Sequence, residues 1–186
     1  QLIVIRFARP TAGICNLQVY GADPLDREFH LWLPITGFSD PDITFLSPDP
    51  YTTLTSPSSP ETIITTGACD AVSGGLYVNS GRGYTAEQDV KPDFLSPGVN
   101  VTAPGPLGSY VDRTGTSAAA ALASGATAPL IQWGMERTQI RYFTTQELKS
   151  YLIRGAQRDP ALIYPNREWG YGTLDLYNTF LSLMTT

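Results

Sequence analysis

The stretch GTSAAAALASGA at residues 115–126 places one serine, Ser117, after Gly-Thr and before a run of alanines. Alanine has the highest helix propensity, so this run predicts a helix from Ser117 to about Gly134, which Pro129 would kink or end early. Ser117 then suits either of two roles near the start of this helix: a nucleophile beside unpaired backbone N–H groups, or an ordinary N-cap. Taken alone, the Gly-Thr-Ser tripeptide favours the cap.

The rest of the C-terminal two-thirds mixes short strands with helices. TIITTGA at 62–68 is a compact β-branched run that predicts a buried strand, and Val99–Thr102 predicts another. Thr144 and Glu147 form the capping-box pattern of a second helix that ends near Gly155. A last helix is predicted from about residue 174 to 183. These elements predict an α/β architecture for residues 51–186.

Residues 1–50 have a different character. Three segments with the composition or alternation of strands, Leu2–Phe7, Ile14–Tyr20 and Phe29–Leu33, are separated by turn sequences. This spacing predicts part of an antiparallel β-sandwich. Three strands are too few to close a sandwich, and the first predicted strand begins at the second residue with no turn or cap before it. We therefore expect these 186 residues to be a piece of a longer protein.

Composition excludes several classes of function. Hydrophobic residues make up 42% and charged residues 16%, as in ordinary globular domains, and no apolar run is long enough for a membrane span. The net charge of −5 argues against nucleic acid or an anionic membrane as a partner. Cys15 and Cys69 lack metal-ligand spacing and predict either one disulfide or two buried thiols. No metal or cofactor site is predicted.

Four motifs in order resemble the subtilisin-like serine peptidases. They are IITTGA at 63–68, VKPDFLSPGVNV at 90–101, GTSAAAALASGA with its glycine eight positions after the serine, and WGYGTLDLYNTF at 169–180. The resemblance implies the C-terminal part of a parallel-sheet peptidase domain. FHLWLP at 29–34 followed by PDPYTTLTSP at 48–57 is similar to the version with a jelly-roll-like insertion, found in clostridial Csp-type germination proteases. That similarity implies a spore-associated or secreted location, and the sequence itself leaves the compartment open.

The resemblance assigns roles to a few residues. Ser117 matches the nucleophile, and its backbone N–H matches one oxyanion-hole donor. Thr53, Leu54, Thr55 and Ser56 occupy the region where the family builds part of its substrate cleft. Related enzymes often bind structural calcium, but the acidic residues near 87–93 match no calcium loop, so a solvated loop is expected. The implied substrate is a protein or peptide.

The partners that a serine nucleophile needs are missing from this sequence. The family order is Asp, His, Ser, yet no Asp-Ser/Thr-Gly or His-Gly-x-His segment precedes Ser117. His30 is the only histidine and is expected to be a strand residue, and Asp112 is expected to be a loop carboxylate. We expect the catalytic Asp and His and the oxyanion Asn in an N-terminal portion, which would also include any prodomain. Residues 1–186 alone are therefore predicted to be inactive.

Two other functions stay open at this point. The parent protein could be a catalytically inactive subtilase-like module that binds or regulates a partner. Alternatively, residues 1–50 could form a carbohydrate- or peptide-binding sandwich that directs the protease. The sequence immediately before Gln1 would discriminate between an enzyme and a binding module.

Overall fold

A computed structural model describes residues 3–7, 11–20, 29–34, 38–137 and 142–184 of the 186 residues. The polypeptide divides into two compact units, residues 1–46 and residues 47–186. All helices and strands of the described residues lie in the second unit. None of these helices is long and apolar enough to cross a membrane.

The first unit contains no strand or helix in its described residues. The strands predicted over Leu2–Phe7, Ile14–Tyr20 and Phe29–Leu33 are therefore not seen in their described parts, and Leu2 lies outside them. Side chains in these segments are largely exposed, with Val4 at 82% and Tyr20 at 86%. A strand needs a neighbouring strand and a covered face, which alternation alone does not supply. The jelly-roll-like insert is not confirmed, and the division into segments 1–50 and 51–186 with these identities stays a prediction.

The second unit contains two small sheets. β1 (Thr66–Cys69) pairs in parallel with β2 (Phe94–Pro97), and β3 (Val101–Pro104) pairs with β4 (Tyr110–Arg113) in an antiparallel hairpin. β1 starts later than the TIITTGA run predicted. At Thr65 the carbonyl accepts the backbone N–H of Asp93 at 2.8 Å, but the N–H donates to the Asp93 carboxylate at 2.6 Å instead of to a strand carbonyl. The parallel pair confirms the predicted α/β class.

Three helices complete this unit: α1 (Thr116–Arg137), α2 (Thr145–Gly155) and α3 (Leu176–Met184). α1 continues past Pro129, so of the two predicted effects of this proline, a kink or an early end, the early end does not occur. Leu130 and Gly134 are buried beyond the proline, and this packing holds the last turns in the helix. The capping box of α2 is confirmed, since Glu147 N–H donates to Thr144 Oγ1 at 3.2 Å and Thr144 N–H donates to Glu147 Oε2 at 2.8 Å.

An apolar cluster of the described residues joins the helices to the parallel sheet. Phe94 of β2 packs with Ala123 and Leu130 of α1 and with Leu152 of α2. Gly155 at the end of α2 allows α3 to approach closely, because a Cβ there would lie 2.3 Å from Thr179 Oγ1. The core therefore fixes the axis of α1, the helix that carries Ser117.

A buried ionic cluster lies just before β2. Asp93, 2% exposed, accepts hydrogen bonds from the Lys91 ammonium at 2.9 Å and from Thr65 N–H at 2.6 Å. Lys149 of α2 lies 3.2 Å from its other oxygen. Burial lowers the pKa of Lys91, and the Asp93 carboxylate opposes that shift. Because the cluster joins β2, α2 and the segment before β1, it links three parts of the unit.

Neither prediction for the cysteines holds in full. Both thiols are free; Cys69 is buried at the end of β1 and Cys15 is exposed. Burial raises the pKa of the Cys69 thiol, and the charge of Asp70 adds to this effect. Cys69 is therefore a packed, unreactive side chain.

Candidate active site

Ser117 lies in the first turn of α1 with its side chain exposed. The carbonyl of Gly115 is the first acceptor of the helix, taking the N–H groups of Ala118 at 3.1 Å and Ala119 at 3.3 Å. Gly115 thus occupies the N-cap position, and Ser117 is two residues inside the helix. Within the described residues, the Ser117 hydroxyl makes no hydrogen bond. The structure therefore does not support the N-cap role for Ser117.

Backbone contacts with the parallel sheet set the position of this turn. The N–H of Gly115 donates to the carbonyl of Gly98 at 2.7 Å, and the N–H of Gly98 donates to the carbonyl of Cys69 at 2.8 Å. A Cβ on Gly98 would lie 2.7 Å from the Cβ of Ala68 and 2.9 Å from the carbonyl oxygen of Gly115. Gly98 therefore brings the sheet and the start of α1 into direct backbone contact at the carboxyl ends of β1 and β2.

The start of α1 also offers hydrogen-bond donors. The backbone N–H groups of Thr116 and Ser117 make no hydrogen bond within the described ranges, and no acidic residue lies in the first turn. Gly115 has φ +148°, a conformation that favours glycine. A helix N-terminus of this kind stabilises negative charge through its free N–H groups and its dipole. Developing negative charge beside Ser117 would be stabilised in this way.

The hairpin formed by β3 and β4 leads directly into this turn. Thr114 Oγ1 accepts the N–H of Asn100 at 2.9 Å, which joins the two ends of the hairpin. Asp112, predicted as a loop carboxylate, lies in β4 and accepts the hydroxyl of Thr102 at 2.7 Å. Its carboxylate is engaged within the hairpin, and it forms no hydrogen bond with Ser117.

Residues 47–186 contain no histidine. His30, the single histidine of the sequence, belongs to the first unit, where it is exposed and its ring lies 5.4 Å from that of Trp32. The strand predicted around it is not seen. The second unit therefore presents a serine and two backbone donors without an imidazole base.

The residues predicted to bind substrate, Thr53–Ser56, contact the segment around Arg82. Thr53 N–H donates to the carbonyl of Arg82 at 2.9 Å, and Arg82 N–H donates to Thr53 Oγ1 at 3.0 Å. In the part that the structure describes, no hydrogen bond or ion pair joins this segment to Ser117. The role of Thr53, Leu54, Thr55 and Ser56 in binding substrate stays a prediction.

Gly98 is the positioning residue that sequence reasoning did not identify. It lies within the VKPDFLSPGVNV motif. The sequence feature that could have identified it is the Pro97-Gly98 pair at the end of a short apolar run. A glycine after a strand usually suggests a turn, whereas here the space beside its backbone is filled by Ala68, Gly115 and Ala119.

Comparison with protein families identifies this arrangement. Residues 46–172, which include β1, β2 and the start of α1, match the model of the subtilase family, Peptidase_S8. The chain belongs to the subtilase family. The resemblance drawn from the four ordered motifs is therefore confirmed, and the α/β unit with its small parallel sheet is subtilase-like.

Solved structures agree with this assignment. The CspB protease of Clostridium perfringens is 34% identical with a TM-score of 0.72, and the match covers 76% of this chain and 31% of that chain. The prenylagaramide maturation protease PagA is 25% identical with a TM-score of 0.60, covering 73% and 47% respectively. The patellamide maturation protease PatA, at 24% identity and a TM-score of 0.55, covers 69% and 46% and supports the fold alone.

The matched part of this subtilase spans less than half of each of these three proteases. No significant match was found among curated proteins. The described residues hold no group of three or more His, Cys, Asp or Glu side chains suited to a metal ion. The absence of a cofactor and the question of structural calcium stay predictions.

Proposed function

We propose that Ser117 is the nucleophile of a serine endopeptidase whose catalytic Asp, His and oxyanion Asn lie in an N-terminal portion of the same protein. The observation that carries the proposal is the exposed hydroxyl of Ser117, which is free of hydrogen bonds to described residues and adjoins the unpaired N–H groups of Thr116 and Ser117. The CspB and PagA proteases, which are similar in fold and sequence, support a hydrolytic role.

The chemistry follows from this geometry. The imidazole base takes the proton of Ser117 Oγ as the oxygen attacks a peptide carbonyl, and the resulting oxyanion lies beside the N–H of Ser117. Collapse of this intermediate breaks the C–N bond, and the protonated imidazole gives its proton to the leaving amine. Water then hydrolyses the acyl-enzyme by the same steps. The substrate class is a protein or peptide.

The exposed face of α1 supports the idea of an N-terminal partner segment. The helix that carries Ser117 in its first turn also has four exposed small residues, Ala120, Ala121, Ser124 and Gly125. A Cβ on Gly125 would have no described atom within 4 Å. Small residues allow close approach of another backbone, so we propose that the N-terminal portion packs on this face. A prodomain and a spore-associated or secreted location are further proposals that rest on the resemblance to Csp-type proteases.

A fluorophosphonate probe tests the nucleophile directly. In the full-length protein we expect rapid labelling of Ser117 and loss of peptidase activity in Ser117→Ala. The matched control is Ser150→Ala, because Ser150 is an exposed serine of α2 and does not belong to the proposed packing face of α1. Residues 1–186 alone should label slowly and show little turnover. Full activity in Ser117→Ala would show that another residue is the nucleophile.

The second candidate is a catalytically inactive subtilase-like module that binds or regulates a partner. This module is compatible with the lack of any histidine in residues 47–186, which the enzyme explains equally by a histidine in the N-terminal portion. Asp-Thr-Gly and His-Gly-x-His segments upstream of Gln1 would support the enzyme. Their loss, together with no fluorophosphonate labelling of the full-length protein, would support the binding module.

A further inference from the structure

Arg167 is held between two tyrosine rings. Its guanidinium carbon lies 5.2 Å from the ring centroid of Tyr51 and 5.3 Å from that of Tyr84. Tyr51 precedes β1, Tyr84 lies between β1 and β2, and Arg167 follows α2, so the fold brings together three distant segments. Both rings lie within cation–π distance of the guanidinium.

The N–H groups of this guanidinium are not used by the described residues. Arg167 is exposed, and its side chain makes no hydrogen bond or ion pair with any of them. The adjacent carboxylate, Glu168, instead pairs with Arg82 at 3.3 Å. A guanidinium has five N–H donors in a planar fork and no acceptor. Arg167 is thus a cation with aromatic neighbours and an unsatisfied donor edge.

Backbone contacts hold Arg167 in place. Its carbonyl accepts the N–H of Gly83 at 2.9 Å, and Asn166 Oδ1 accepts the N–H of Glu168 at 3.1 Å and of Trp169 at 2.8 Å. A Cβ on Gly83 would collide with the carbonyl of Lys91, so this turn is pressed against the segment before β2. Ordering of the side chain before binding reduces the entropy lost when a ligand engages it.

This site is separate from Ser117. Gly83 contacts Lys91, which precedes the amino end of β2, whereas Gly98 follows its carboxyl end and contacts the turn of Ser117. Lys91 and Gly98 are seven positions apart in the sequence, and an extended segment with seven such steps spans roughly 23 Å. A ligand at Arg167 therefore does not occupy the position of a peptide bond at Ser117.

We infer that Arg167, between Tyr51 and Tyr84, binds a carboxylate of a protein segment. Bidentate pairing with a planar acceptor is the strongest way to satisfy a guanidinium edge. The nearby Glu168 and the net charge of −5 favour a singly charged carboxylate over a doubly charged phosphate. The carboxylate comes from an acidic side chain or from the carboxyl terminus of a polypeptide. Binding of this kind does not depend on peptidase activity.

Three acetylated alanine pentapeptides test it with the 186-residue polypeptide. One has a free C-terminal carboxylate, one has a C-terminal amide and a single glutamate, and one is amidated and neutral. NMR titration of the arginine Nε–H signals reports binding. We expect at least one carboxylate peptide to shift the Arg167 signal and the neutral peptide to leave it unchanged. The carboxylate peptide that binds more tightly shows whether the natural ligand is a C-terminal carboxylate or an acidic side chain.

Variants separate binding from folding. Arg167→Lys keeps a cation between the rings but loses the planar fork, so we expect affinity for the carboxylate peptide to fall at least tenfold while the fold is retained. Arg137→Ala, which removes an exposed arginine at the end of α1, should bind as the unchanged protein does. The inference is overturned if no carboxylate peptide shifts the Arg167 signal, if Arg167→Lys binds equally well, or if inorganic phosphate binds more tightly than both peptides.

Discussion

Asp93→Asn removes the one negative charge of the buried cluster that joins β2 to α2. The carboxylate of Asp93 is contacted by Lys91 at 2.9 Å, Lys149 at 3.2 Å and Thr65 N–H at 2.6 Å. An asparagine offers one acceptor oxygen, and its NH₂ group faces donors. Two ammonium groups then lie close together without a counter-charge. Breaking a buried ion pair in this way costs about 3–5 kcal/mol.

Lys91→Met tests whether the loss of stability in Asp93→Asn comes from the uncompensated positive charges. Asp93 would keep Thr65 N–H and Lys149, and the loss is confined to the hydrogen bonds of the Lys91 ammonium with Asp93 and with the carbonyl of Ile63. Hydrogen bonds to charged groups contribute about 1.5–3 kcal/mol. We therefore expect Lys91→Met to lower the free energy of unfolding by about 2 kcal/mol, clearly less than Asp93→Asn.

Equilibrium urea denaturation followed by circular dichroism measures both variants. With a slope of about 2 kcal/mol per molar urea, a loss of about 4 kcal/mol lowers the midpoint by about 2 M. A loss below about 1 kcal/mol for Asp93→Asn, or one smaller than that of Lys91→Met, would refute the reasoning from buried charge.

Three further predictions concern α1 and α2. Gly98→Ala should lower the free energy of unfolding by about 1–3 kcal/mol through overpacking and slow fluorophosphonate labelling of Ser117 in the full-length protein; unchanged labelling would contradict the role of Gly98. Gly125→Ala should stabilise residues 1–186 by up to about 1 kcal/mol, because alanine has the higher helix propensity. In the full-length protein it should instead lower the melting temperature, because the added methyl group would obstruct packing of the N-terminal portion on α1. The N–H of Thr144 and then its hydroxyl lower the pKa of Glu147 below its ordinary 4.5. The stability that Glu147 adds is therefore present above pH 4.5 and lost as pH falls through the lowered pKa, so the difference from Glu147→Gln in urea denaturation should shrink with acidification.

Features set by local chemistry were predictable from the sequence. The capping box of Thr144 and Glu147 needs only four residues, and both of its hydrogen bonds are present. The alanine run likewise predicted α1. The start of β1 was not predictable in this way, because the Thr65 N–H donates to the side chain of Asp93, 28 residues away, rather than to a backbone carbonyl. The end of α1 depends on the burial of Leu130 and Gly134 rather than on Pro129.

The candidate site shows the same division. The sequence motif was enough to identify Ser117 as a candidate nucleophile. It could not show which residue is the N-cap, because that is the residue whose carbonyl accepts the first helical N–H. That carbonyl belongs to Gly115, whose N–H donates to the carbonyl of Gly98 just after the carboxyl end of β2. The two tyrosine rings beside Arg167 could not be predicted from the sequence either, because Tyr51 and Tyr84 lie 116 and 83 residues away from it along the chain.

The contacts of Gly98 have a consequence for how the family can diverge. The backbone hydrogen bonds of Gly98 with Cys69 and Gly115, and its close approach to the Cβ of Ala68, hold the turn of Ser117 and also connect the carboxyl ends of β1 and β2. Selection for stable folding would therefore preserve the position of this turn even without selection for catalysis. A descendant could lose its base, cease to cleave peptides and still present a serine in the geometry of a working enzyme.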